Sequence, residues 1–164
     1  MLVLLRHLFA ILVLPVVMAI LVPSWLLTRY AAVDSRWDAA SALTWPMRGF
    51  GAILLLGGFV LFVWCVTLFA RVGQGTLAPW DPTQRLVAVG PYRYARNPMI
   101  TGVATVLAGW AAFTGSWVLA LWLVAFVAFN SLYFVLVEEP GLEHRFGAPY
   151  REYKAHVPRW IPRP

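Results

Sequence analysis

The chain has 164 residues, 61% of them hydrophobic and 12% charged, with a mean hydropathy of +0.72. A soluble domain carries about 25% charged residues, so this composition excludes an ordinary water-soluble globule and points to one integral membrane domain over residues 1–164. The net charge of +6 does not imply a nucleic-acid partner: the basic residues stand at the ends of apolar runs, where they orient spans and meet anionic headgroups, so membrane lipids are the expected surroundings.

The first apolar run, Leu8 to Leu27, has 20 uncharged residues, enough to cross a bilayer. It lacks the short apolar core and small-residue cleavage site of a signal peptide, so it reads as a retained helix. Pro15 and Pro23 are expected to bend or loosen it. The second span, Gly49 to Ala70, has 22 residues between Arg48 and Arg71, and its glycines at 51, 57 and 58 allow close approach of another helix. Cys65 lies within it and reads as a lipid- or core-facing small residue; a lone cysteine forms no internal disulfide.

Residues 71–97 form a long loop rich in glycine and proline, of a length that is usually functional or disordered. Its Gly-Gln-Gly is no dinucleotide fingerprint, because no third glycine follows at the required spacing and no βαβ pattern surrounds it. The run from Asn97 to Val137 then holds 41 residues without a charge. As one helix it would reach about 60 Å, twice the hydrocarbon thickness, so it must turn back. Phe113-Thr-Gly-Ser-Trp117 supplies the turn, giving spans at about 98–113 and 117–137 that form a tight helical hairpin. The fold expected is therefore all-α and polytopic, with about four transmembrane helices and a C-terminal tail, 138–164. With both termini cytoplasmic, ten of the thirteen basic residues fall on the inner side, as the positive-inside bias requires.

A hairpin brings its ends together. "GPYRYARNPMITG", Gly90 to Gly102, enters it, and Glu138-Glu139, His144 and Arg145 follow its exit. Ionisable groups near lipid are costly unless paired or functional. Adjacent glutamates on a helix point about 100° apart, so one can face the hairpin interior and the other solvent. Arg93 and Arg96 are either positive-inside anchors or ligands for a carboxylate or phosphate, helped by turn amides around Asn97 and Pro98. Tyr92, Tyr94, Tyr150 and Tyr153 are either interfacial aromatics or part of a binding wall. His7, His144 and His156 read as solvated side chains. No cluster has metal-ligand spacing, and no nucleophile–base signature is present.

"GPYRYARNPMITG", the apolar hairpin, the double glutamate and "RFGAPYREYKAHVPRWIP" together resemble the isoprenylcysteine carboxyl methyltransferase and phospholipid methyltransferase superfamily over roughly residues 73–162. That superfamily's pattern is Arg-His-Pro-x-Tyr, a hydrophobic stretch, then Glu-Glu. Arg96 and Pro98 match; Asn97 stands where the pattern has His, and Ile100 where it has Tyr. The resemblance implies an S-adenosylmethionine-dependent methyltransferase whose cofactor site lies at the inner end of the hairpin, covered by the tail. It implies cofactor contacts from Tyr92, Arg93, Tyr94, Arg96, Asn97, Pro98, Gly102, Glu138, Glu139, Tyr150, Tyr153 and Arg159, with Glu139 and Arg145 at the reacting centre. The acceptor implied is lipophilic or a small hydrophobic molecule: an isoprenylcysteine-like carboxylate or a thiol by preference, a phospholipid amine as the alternative. A more distant likeness to the NADPH-dependent membrane sterol reductases, and a non-catalytic membrane module, are the competing readings.

Overall fold

The computed structural model describes residues 12–38, 40–73 and 84–160. Among them every regular element is helical. The expected start of the first span, residues 8–11, lies outside the described residues, as do 74–83 of the long loop and 161–164 of the tail.

A π-helical stretch, Leu12–Leu21, leads directly into α1, Val22–Arg29. The expectation that the prolines loosen this segment is met by a specific device. A π-helix bonds each carbonyl to the N–H five residues on, and Pro23 has none to give to Met18. The indole Nε1 of Trp122 donates to the Met18 carbonyl instead, at 3.1 Å. Helix α2, Thr44–Leu68, runs on through a π-turn, Phe69–Gly73, as one 30-residue helix. Helix α3, Pro98–Thr114, and α4, Trp117–Tyr133, make the expected hairpin. Pro98 sits in the first turn of α3, where its missing N–H costs nothing.

The hairpin turn follows from three residues. Gly115 takes the left-handed conformation at φ 74°, and its N–H closes α3 onto the Ala111 carbonyl. Ser116 caps α4 by accepting from the Leu119 N–H at 3.1 Å. The last carbonyls of α3 are satisfied from the segment before α2: the Trp37 backbone N–H donates to Thr114, and its indole donates to Ala112 at 2.6 Å.

The closest helix contact joins α2 and α3, which run antiparallel. The buried residues of α2 are Thr44, Gly51, Gly58 and Cys65, one every seven residues. Facing them, Gly102 and Gly109 of α3 are also seven apart. A seven-residue repeat keeps one seam turned to the partner at a shallow crossing angle. The contact is backbone to backbone: a Cβ on Gly58 would lie 2.6 Å from the Gly102 carbonyl oxygen. Gly57, grouped with these glycines by sequence, faces open space.

After α4 the chain does not stop at Val137. A π-turn, Phe134–Glu138, joins α4 to α5, Glu139–Phe146, in a second 30-residue helix. Helix α6, Ala148–His156, then folds back beside α5. The long helices α2 and α4–α5 are apolar and mostly unburied, with Trp45, Ile53, Phe129 and Leu136 each at least two-thirds exposed. Apolar surface of that extent is tolerated in lipid and not in water.

Candidate functional site at the open end of the hairpin

The adjacent glutamates separate as helical geometry requires: Glu138 is exposed and Glu139 is buried. The Glu139 carboxylate gathers three cations from three parts of the chain. Its Oε1 accepts from Arg96 Nη1 at 2.8 Å, from the start of α3. The same oxygen accepts from Arg159 Nε at 3.0 Å and lies 2.9 Å from Arg159 Nη2, beyond α6. Its Oε2 meets Lys154 Nζ of α6 at 3.0 Å. Sequence reasoning brought Arg96, Glu139 and Arg159 together; Lys154 it passed over, although its position four residues after Tyr150 on a short helix was the available signal.

The backbone reinforces this contact. The Arg96 N–H donates to the Pro158 carbonyl at 2.9 Å, and the Asn97 N–H to the Arg159 carbonyl at 3.3 Å. The segment after α6 is thus strapped across the N-terminus of α3. Phe134 lies beneath, with the Arg159 guanidinium 5.9 Å from its ring centre.

The tyrosines divide. Tyr92, on a 3-10 turn at Gly90–Arg93, is buried with Cys65 and Val87 against α2, 5.4 Å from the Phe69 ring. Its carbonyl accepts the Tyr153 hydroxyl at 2.7 Å. Tyr150 is fully buried, and neither its hydroxyl nor the Arg96 Nε has a hydrogen-bond partner among the described residues. Burial pushes the Tyr92 hydroxyl well above the ordinary tyrosine range, with Cys65, Glu138 and Tyr153 adding to the effect. Burial raises Tyr150 and Tyr153 as well, against the opposing charge of Arg96. Tyr94 is different: it is 56% exposed, beside exposed Arg93.

The remaining expected residues take structural positions. Gly102 meets α2, where a Cβ would be 3.0 Å from the Gly58 carbonyl oxygen. Pro98 is buried in the first turn of α3, and Asn97, also buried, receives the Thr101 hydroxyl on its carbonyl at 3.1 Å. Arg145 is exposed on α5, its guanidinium 5.7 Å from the Phe146 ring centre and its charge felt by Glu138. Alongside the cluster opens a cleft of about 450 Å³, lined by Val135, Glu139, Pro140, Glu143, His144 and Lys154.

Long, apolar, largely unburied helices joined to an ionic cluster at one end of a hairpin are the features of a helical membrane protein. The sequence model of the phospholipid methyltransferase family matches residues 47–149, and the chain belongs to that family. The match runs from α2 to the start of α6 and includes the hairpin and Glu139. Searches of curated proteins and of solved structures returned no match.

Proposed function

We infer that this chain is an S-adenosylmethionine-dependent methyltransferase acting on a lipophilic or small hydrophobic acceptor where the hairpin opens. The observation that carries the reading is the position of the ionic cluster: it joins α3, α5 and the strap at the polar end of the family's matched region. The topology that fits is four spans with both termini cytoplasmic, so that a soluble cofactor enters from the cytosol and the acceptor from the bilayer.

The residues fit the cofactor in a particular way. Both oxygens of Glu139 are occupied by cations, so this carboxylate holds the wall of the site and does not receive an ammonium. Glu138, one residue earlier, is the carboxylate left for that ammonium, whose charge would favour the ionised form of a group that desolvation and the neighbouring Glu139 raise to about 7. Exposed Arg93 suits the cofactor carboxylate, and Tyr94 offers a face for its adenine. Arg96, Asn97, Pro98, Tyr92, Gly102, Tyr150, Tyr153 and Arg159 form the shell that fixes them. Bound there, S-adenosylmethionine supplies an electrophilic methyl group. The protein's own part is to align the acceptor in line with it and to exclude water. Arg145 orients the acceptor. A carboxylate or thiolate acceptor needs no base, which favours these over an amine.

The test is transfer of a labelled methyl group by the purified full chain in nanodiscs made with lipid from its expression host. Label should enter the organic-soluble fraction. Glu139→Gln and Arg145→Ala should each lower the rate at least tenfold while still inserting, and normal turnover in both would sink these assignments. A rate that climbs steeply with pH through the pKa of an acceptor amine would move the acceptor to the phospholipid amines.

A further inference from the structure

We propose that the C-terminal end of α2 holds one anionic phospholipid that is not methylated, its phosphate gripped by Arg71 and Arg85. This partner is separate from both cofactor and acceptor, and the proposal does not rest on the methyltransferase reading.

Arg71 and Arg85 are far apart in sequence, but the backbone brings them together. The Gly73 carbonyl, two residues beyond Arg71, accepts the N–H groups of Gln84 and Arg85 at 2.8 and 3.2 Å. Both arginines are exposed, and among the described residues neither has a hydrogen-bond or ion-pair partner for its side chain. No acid stands in the stretches that carry them: residues 44–73 and 84–97 contain neither aspartate nor glutamate. Glu139 and Glu143 on α5 are already matched with Arg96, Arg151, Lys154 and Arg159. The C-terminal dipole of α2 offsets only about half a charge. More than one positive charge therefore remains at a membrane boundary, where unpaired ionisable groups are costly. An anion completes it, and guanidinium forks suit the oxygens of a phosphate.

The surroundings favour a lipid over a free anion. Trp64, shortly before Arg71 on α2, is 53% exposed. A Cβ at Gly90 would lie 3.5 Å from its indole Nε1, so the ring stands against the returning segment that Arg85 begins. An indole in that place is an amphipathic anchor at headgroup depth. Past Trp64, exposed Leu56, Phe59, Val60 and Val63 give acyl chains an apolar path along α2. Diffuse attraction acts on every basic residue at the boundary. Here one carbonyl brings two unmatched arginines together beside an aromatic anchor, which makes a defined site. Arg85 also opens the segment that carries Tyr92, Arg93 and Tyr94, so a headgroup bridging the two arginines ties that segment to α2.

The experiment is lipid titration of the full chain in mild detergent, read by native mass spectrometry. The probes are dioleoyl phosphatidylglycerol, dioleoyl phosphatidylcholine and dioleoylglycerol. One phosphatidylglycerol should bind at least tenfold more tightly than either of the others. Arg71→Gln and Arg85→Gln should each weaken it about fivefold, the share of one basic side chain at an anionic surface. The double variant should weaken it at least tenfold. Arg29→Gln, which removes the same charge at the far end of the hairpin, should leave it within twofold. Equal affinity for phosphatidylglycerol and phosphatidylcholine overturns the proposal without any variant, so misfolding of a variant does not shelter it. An equal loss in Arg29→Gln overturns it in favour of diffuse attraction to net charge. Displacement of the lipid by millimolar inorganic phosphate overturns it in favour of a free-anion site. Entry of labelled methyl groups into the phosphatidylglycerol overturns it in favour of an acceptor site.

Discussion

Replacing Glu139 by glutamine leaves Arg96, Lys154 and Arg159 facing one another without a carboxylate between them. Breaking a buried ion pair costs about 3–5 kcal/mol, and the partial exposure of Lys154 and Arg159 reduces this to roughly 2–3 kcal/mol. The loss should appear as a lower unfolding midpoint in detergent and as faster tryptic cleavage after Lys154 and Arg159, because the strap is what these residues hold. Unchanged cleavage would show that the backbone bonds at Arg96 and Asn97 hold the strap alone. The tyrosines beneath it set a pH limit. Tyr92, Tyr150 and Tyr153 are raised by burial, so the fold favours their neutral forms. Their contribution is complete below the unfolded tyrosine value of about 10 and is lost as pH rises above it. Tyrosinate absorbance and strap cleavage should therefore rise together above that pH, and cleavage that begins near neutrality would contradict the assignment.

At the scale of elements, α2 and α3 make opposite predictions for adjacent glycines. Gly58→Ile forces a side chain into the Gly102 backbone and should separate the helices, lowering the unfolding midpoint sharply. Gly57→Ala meets open space and replaces a poor helix former, so it should be neutral or stabilise by up to about 1 kcal/mol. A large loss at Gly57 would place the seam on the wrong face. Trp122→Phe removes the donor to Met18 and should cost about 0.5–1.5 kcal/mol. The hairpin was legible in the sequence because 41 uncharged residues cannot stay in one bilayer crossing and Gly115 marks the reversal. The continuation into α5 was not. Pro140-Gly141 reads as a helix stop, yet Pro140 falls in the first turn of α5, after a π-turn that has already displaced the hydrogen-bond ladder. Likewise Gly57 and Gly58 look equivalent in a string, and only the seven-residue spacing from Gly51 through Gly58 to Cys65 separates them.

For the whole molecule, the division of surface explains why a basic, aromatic segment stands beside so apolar a run. The two 30-residue helices would extend about 45 Å, longer than the hydrocarbon core of about 30 Å, so their ends reach the polar boundary. The charged end of α5 stands at such an end, where the strap and the start of α3 complete its ion pairs. Sequence alone brought both ends of the hairpin together, but it left open which glutamate turns inward and did not bring Lys154 to Glu139, because the reach of Lys154 and Arg159 depends on how α6 folds back. The central claim is that this polar end binds S-adenosylmethionine. Its most direct test is calorimetric titration of the full chain with S-adenosylhomocysteine and, in a separate cell, with NADPH. The account predicts saturable binding of S-adenosylhomocysteine and no heat from NADPH. Binding of NADPH alone, or silence from both, would contradict it.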